Sequence, residues 1–169
     1  MDWVADGIAI GNRAEATDAA LVEWHGIESA LLLYESEAPR ESFPCKGEVL
    51  QLVVQDGRSV SAGLLRQGAS FLRAERAAGR NVLVACAAGI SRSSSFVVAY
   101  LVSEGLDLEE ALSTVMERRR VALPHPALLQ SISDCYELGL KPTEIGMAVV
   151  RARKAARQGR KETRADEED

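Results

Sequence analysis

Two short apolar runs, residues 49–54 and 81–85, enclose a segment, residues 61–80, in which Leu64, Leu65, Ala69, Phe71, Leu72 and Ala77 recur at near-helical spacing and Ala78-Gly79 supplies a stop. Strand, helix and strand in that order form a crossover unit, which in proteins is right-handed and joins parallel strands. The chain is thereby restricted to the α/β class, a sheet with parallel strands covered by helices on its faces. Residues 29–34 read as another buried strand, and residues 3–10 as an extended entry segment. With 169 residues, 47% of them apolar, there is material for one hydrophobic core and no second domain.

Helices account for most of the remainder. Residues 14–24 place Ala16, Ala19, Ala20 and Trp24 at helical spacing ahead of a Gly26 cap. From Arg92 onward the pattern predicts a buried helix over 93–103 and a helix over 108–119 capped by Asp107. After a break at Pro124-His125-Pro126, a helix over 127–138 follows, then a last amphipathic stretch from Pro142 to about Gln158. The expected organisation is a domain over residues 1–140 followed by a helical extension and charged tail over 141–169. Six basic residues lie between Arg151 and Lys161, then Asp166-Glu167-Glu168-Asp169 reverses the sign. This tail is read as a solvated helix end in preference to a docking segment.

Composition excludes several classes. The longest apolar stretches fall far short of the ~20 residues of a membrane span, so no transmembrane helix is expected. Asp2 and Asp6 stand where a secretory signal would carry basic residues, which points to a cytoplasmic location. Cys45, Cys86 and Cys135 are odd in number and widely spaced, neither a disulfide framework nor a zinc site. His25 and His125 have no second ligand at zinc spacing, and no metal is expected. The net charge of −5 gives no reason to expect nucleic-acid binding.

The chemistry is concentrated in Val82-Leu83-Val84-Ala85-Cys86-Ala87-Ala88-Gly89-Ile90-Ser91-Arg92-Ser93. A buried strand delivers a cysteine to its C-terminal end, five small or apolar residues follow, and an arginine opens a helix. Successive backbone N–H groups of Ala87, Ala88, Gly89, Ile90, Ser91 and Arg92 can converge on an anion, Gly89 permits the unusual backbone angle, and the helix N-terminus adds partial positive charge. A cysteine in such a field ionises below the ~8.5 of a free thiol. Arg92 presents a planar fork suited to two oxygens of a phosphoryl group.

The Cys-x5-Arg signature, extended by Ser93 and by Ala99-Tyr100-Leu101, resembles the dual-specificity branch of the cysteine-dependent protein tyrosine phosphatases. Ile8-Ala9-Ile10-Gly11-Asn12, Ala16, Asp18, Leu21 and Gly26-Ile27 are similar to that family's opening strand and first helix. Ala111-Leu112, Val115, Arg119 and Pro124 are similar to its later helix and turn, so the resemblance runs from about residue 3 to residue 138. It implies a central mixed, mostly parallel sheet flanked by helices. It also implies a phosphatase acting on phosphotyrosine and phosphoserine or phosphothreonine in proteins, with Cys86 as nucleophile, Arg92 as phosphate ligand, Ser93 as donor to the departing thiolate, and no cofactor.

The reaction implied needs a general acid upstream of the cysteine. Asp56, thirty residues before Cys86 and just after a strand, fits the family's spacing and is also compatible with a plain Asp-Gly turn. One position departs from the family pattern: Ala85 stands where histidine usually precedes the cysteine, which implies a less activated thiol and reduced turnover. Ala85 supports the alternative of a phosphatase-like module that binds phosphoproteins with little or no cleavage. A phosphatase of non-protein phosphoesters is a further alternative, although the uncharged loop lacks the lysines usual in the lipid-directed branch. A third reading is a scaffold acting through the basic stretch. Arg119, in the run Arg118-Arg119-Arg120, is a candidate for substrate contact or a solvated helix end.

Overall fold

The computed structural model describes residues 1–35 and 43–166, the side chains of 160–166 excepted. The acidic run at 166–169 expected to close the tail lies largely outside the described residues. Five strands, β1 (Asp2–Ala5), β2 (Ile8–Asn12), β3 (Ser29–Leu32), β4 (Val49–Gln51) and β5 (Val82–Cys86), form one sheet in the order β1-β2-β5-β3-β4. Only the β1–β2 pair is antiparallel. The expected mixed, mostly parallel sheet is therefore observed. The entry segment is a hairpin instead of one extended run, because Asp6-Gly7 makes the turn with Gly7 at φ 58°.

Strand parity separates two apolar layers. Ile8, Ile10, Leu31, Leu33, Val82, Val84 and Cys86 join the larger cluster, while Ala9, Ala30, Leu32, Leu83 and Ala85 join the smaller one. Alanines on the second face leave room for two short helices, α1 (Arg13–Thr17) and α2 (Ala19–Trp24), to lie close to the sheet. These replace the single helix expected over 14–24. Asp18 takes an extended conformation and its side chain accepts from the Leu21 N–H, capping a new helix in mid-run.

The larger layer holds α3 (Ala62–Ala77), α4 (Arg92–Ser103), α5 (Leu108–Arg118), α6 (Pro126–Cys135) and α7 (Pro142–Asp166). Helix α4 is buried nearly throughout, as its composition predicts. Asp107 caps α5 in a capping box with Glu110. Helix α7 packs on α5 and continues beyond Gln158 to Asp166, so the basic stretch is helical along its length. Ile145, Ala148, Ala152 and Ala156 of α7 belong to the same core cluster as the sheet. No helix among the described residues is long and apolar enough to cross a membrane.

Candidate active site

Parity determines where the thiol goes. Cys86 closes β5 on the same face as Val82 and Val84, and the chain then curls over its sulfur into α4. Helix α4 has no side-chain cap on its N-terminus, which leaves its first N–H groups to the loop. Cys86 Sγ shares a hydrogen bond with Ser93 Oγ at 3.3 Å and accepts from the Gly89 N–H at 3.2 Å. Burial pushes the Cys86 thiol up, but hydrogen bonds from the Ser93 hydroxyl and from the backbone N–H groups of Ser93, Ile90 and Gly89 outweigh it, and the thiol lies below its ordinary value.

The loop keeps this shape because its carbonyls are held from behind. Ala87 O accepts from the Arg13 N–H at 3.3 Å and Ile90 O from the Leu123 N–H at 2.9 Å. Gly89 O accepts from Arg119 Nε at 2.6 Å. Gly89 itself is at φ 65°, and a Cβ there would stand 2.5 Å from the Arg119 guanidinium and 2.8 Å from the Gly11 backbone. Glycine is thus required both for the backbone angle and for the close approach of Arg119 and the Gly11 backbone.

Arg119 is a correction to the sequence reading. It is neither at a solvated helix end nor on the substrate face; it is only 5% exposed. Besides Gly89 it donates to the Ile10 carbonyl at 3.1 Å and to Asp2 Oδ2 at 2.7 Å, which locks β1, β2 and the loop together. Arg118 and Arg120 are exposed.

Arg92 sits at the start of α4 with Nη1 donating to the carbonyls of Leu33 and Val54, at 3.2 and 3.0 Å. Its buried Nε has no hydrogen-bond partner, nor has the buried Ser91 hydroxyl. Asp56 Oδ1 stands 4.0 Å from that Nε, on a side chain 58% exposed. It also accepts from the Gly57 N–H at 3.0 Å, so Asp56 is both a turn residue and a neighbour of Arg92. The site therefore brings together Cys86, the loop from Ala87 to Ser91, Arg92, Ser93 and Asp56. Sequence reasoning missed Arg13, whose backbone N–H holds the Ala87 carbonyl and whose guanidinium lies 5.0 Å from the Tyr34 ring centroid, and Asp2. Among the described residues, no three His, Cys, Asp or Glu side chains converge as a metal site requires.

The family model for the dual specificity phosphatase catalytic domain matches residues 12–137. The chain belongs to the dual-specificity phosphatase family. Dual specificity protein phosphatase 15 of Mus musculus is 29% identical over 136 residues, covering 79% of this chain and 57% of that protein. Dual specificity protein phosphatase 22 of Homo sapiens is 29% identical over 138 residues, covering 79% and 72%. The crystal structure of human DUSP28 has a TM-score of 0.73 at 23% identity, covering 82% of this chain and 96% of that one, and shares the fold. The chain spans a little over half the length of mouse Dual specificity protein phosphatase 15.

Proposed function

We propose that this family member is a protein phosphatase that hydrolyses phosphotyrosine and phosphoserine or phosphothreonine through a cysteinyl-phosphate. The observation that carries this reading is the thiol of Cys86, lowered by converging donors, at the floor of a loop whose Ala87, Gly89 and Ile90 carbonyls are bonded to groups behind it. The phosphate of the substrate binds the N–H groups of Ala87, Ala88, Gly89, Ile90 and Ser91 and the Arg92 guanidinium, giving the unpaired Nε an acceptor. Cys86 Sγ attacks phosphorus in line, the bond to the leaving oxygen breaks, and Asp56 gives that oxygen its proton. Asp56, now a carboxylate, takes a proton from water as the water oxygen attacks phosphorus. Inorganic phosphate leaves and the thiolate departs with a hydrogen bond from Ser93. No metal or organic cofactor enters these steps. A nucleophilic thiol must stay reduced, which fits a phosphoprotein phosphatase of the cytosol.

Hydrolysis of para-nitrophenyl phosphate between pH 5 and 8 without added metal, by wild type, Cys86→Ser and Asp56→Asn, tests this. Turnover abolished by the first substitution and strongly reduced by the second is expected. Ala85, which stands where histidine usually precedes the cysteine in this family, favours a second reading, a module that binds phosphoproteins without cleaving them. Wild type that binds a phosphopeptide but releases no phosphate from it or from the aryl ester would replace the first reading by the second.

A further inference from the structure

Large apolar side chains are exposed at few places among the described residues, and three of them adjoin the loop. Ile90 is 36% exposed, Val121 55% and Leu123 44%. The segment that carries the last two is strapped to the loop at both ends: Arg119 Nε bonds the Gly89 carbonyl, and the Leu123 N–H bonds the Ile90 carbonyl. Between these anchors a turn, closed by the Ala122 N–H on the Arg119 carbonyl, leaves Val121 exposed while Ala122 and Pro124 are buried. Two hydrogen bonds thus tie the segment of Val121 and Leu123 to the phosphate loop that carries Ile90, and the three exposed side chains make an apolar shelf beside that loop. Exposed apolar side chains gathered beside a site mark a binding surface.

We infer that Ile90, Val121 and Leu123 form a subsite for an apolar side chain next to the phosphorylated residue of a substrate peptide. Ile90 belongs to the loop proposed to hold the phosphate and the Leu123 N–H bonds its carbonyl, so the occupant of the shelf is taken to be part of the same molecule. In an extended peptide the neighbours of the phosphorylated residue lie only ~3.4 to ~7 Å along the chain, within reach of such a shelf. Phosphorylated segments flanked by leucine, isoleucine or valine are accordingly the preferred substrates, ahead of those flanked by glycine.

The inference rests on the phosphatase reading for its turnover assay. Two phosphotyrosine peptides, one with leucine and one with glycine at the two positions on each side, are compared by kcat/KM with wild type, the double variant Val121→Ser/Leu123→Ser, and Val150→Ser, which removes an exposed apolar side chain from α7. Taking the ratio of the two peptides cancels any change in the loop itself. A wild-type ratio of about ten, retained in Val150→Ser and falling to about one in the double variant, is expected. A wild-type ratio near one, or a ratio that survives in the double variant, overturns the subsite. If wild type fails to turn over para-nitrophenyl phosphate, it is the phosphatase reading that fails. The same ratio, read as peptide affinity by isothermal titration, then decides the subsite by the same two outcomes.

Discussion

Arg119 and Gly89 meet at 2.6 Å, guanidinium to carbonyl, across thirty positions of sequence. The same guanidinium reaches Ile10 in the sheet and Asp2 on the edge strand, so one side chain fixes the loop to two strands. Replacing it with methionine leaves two buried carbonyls without their donor. Arg119→Met is expected to lower stability by ~2–4 kcal/mol in urea unfolding and to weaken inhibition by vanadate or phosphate, because the loop amides lose their alignment.

Gly89→Ala introduces a side chain where φ is positive and where the Arg119 guanidinium and the Gly11 backbone stand closer than a Cβ tolerates. A cost of ~1–3 kcal/mol is expected. Phosphate affinity should fall by at least ~10-fold, since the Gly89 N–H moves with the strain. Equilibrium unfolding and competition by inorganic phosphate measure the two effects separately.

Ser93→Ala removes the hydroxyl that most favours the ionised Cys86, so the thiol pKa must rise. The pH midpoint of iodoacetamide alkylation at Cys86, followed by mass spectrometry, should move upward from its wild-type position below the ordinary thiol range. The same shift has a consequence for stability. A thiol lowered by folding contributes stability above its unfolded pKa and loses it as pH falls through its folded one. Substitution of Ser93 should therefore lower stability most at alkaline pH.

Ala85→His restores the side chain usual in the family at that position. Ala85 is fully buried among Ala9, Ala16 and Leu83, on the face opposite Cys86, and an imidazole there overpacks the layer under α1. Destabilisation by ~1–3 kcal/mol is expected in thermal or urea unfolding. The alkylation midpoint of Cys86 should change little, because the donors to its sulfur are already in place.

Deleting the chain from Lys141 onward removes Ile145, Ala148, Ala152 and Ala156 from the core cluster and bares the face of α5 beneath them. A loss of ~3–5 kcal/mol is expected from the apolar burial alone, readable as a fall in the urea midpoint.

What could be read in the sequence was whatever depends on neighbours along the chain. The crossover from β4 through α3 to β5 follows from apolar spacing, and the Cys86 to Arg92 loop from a strand that runs into small residues. Asp107 announces its helix as a cap. The break at Asp18 and the Asp6-Gly7 hairpin also had local signals, a capping residue and a turn dipeptide, which helical spacing and apolar character obscured. The burial of Arg119 had none. In the run Arg118-Arg119-Arg120 nothing distinguishes the middle arginine until the sheet places Ile10, Gly89 and Asp2 around it. The carbonyl partners of Arg92 at Leu33 and Val54 are likewise created by strand order.

Those two carbonyls have a bearing on binding that distances alone do not express. Arginine carries about 2 kcal/mol of rotamer entropy. With Nη1 held by the carbonyls of Leu33 and Val54, in the segments that follow β3 and β4, much of that freedom is lost when the chain folds, before any phosphate arrives. Capture of an oxyanion then orders little more than the anion itself, so its calorimetric entropy should be less unfavourable than at a site whose arginine is free.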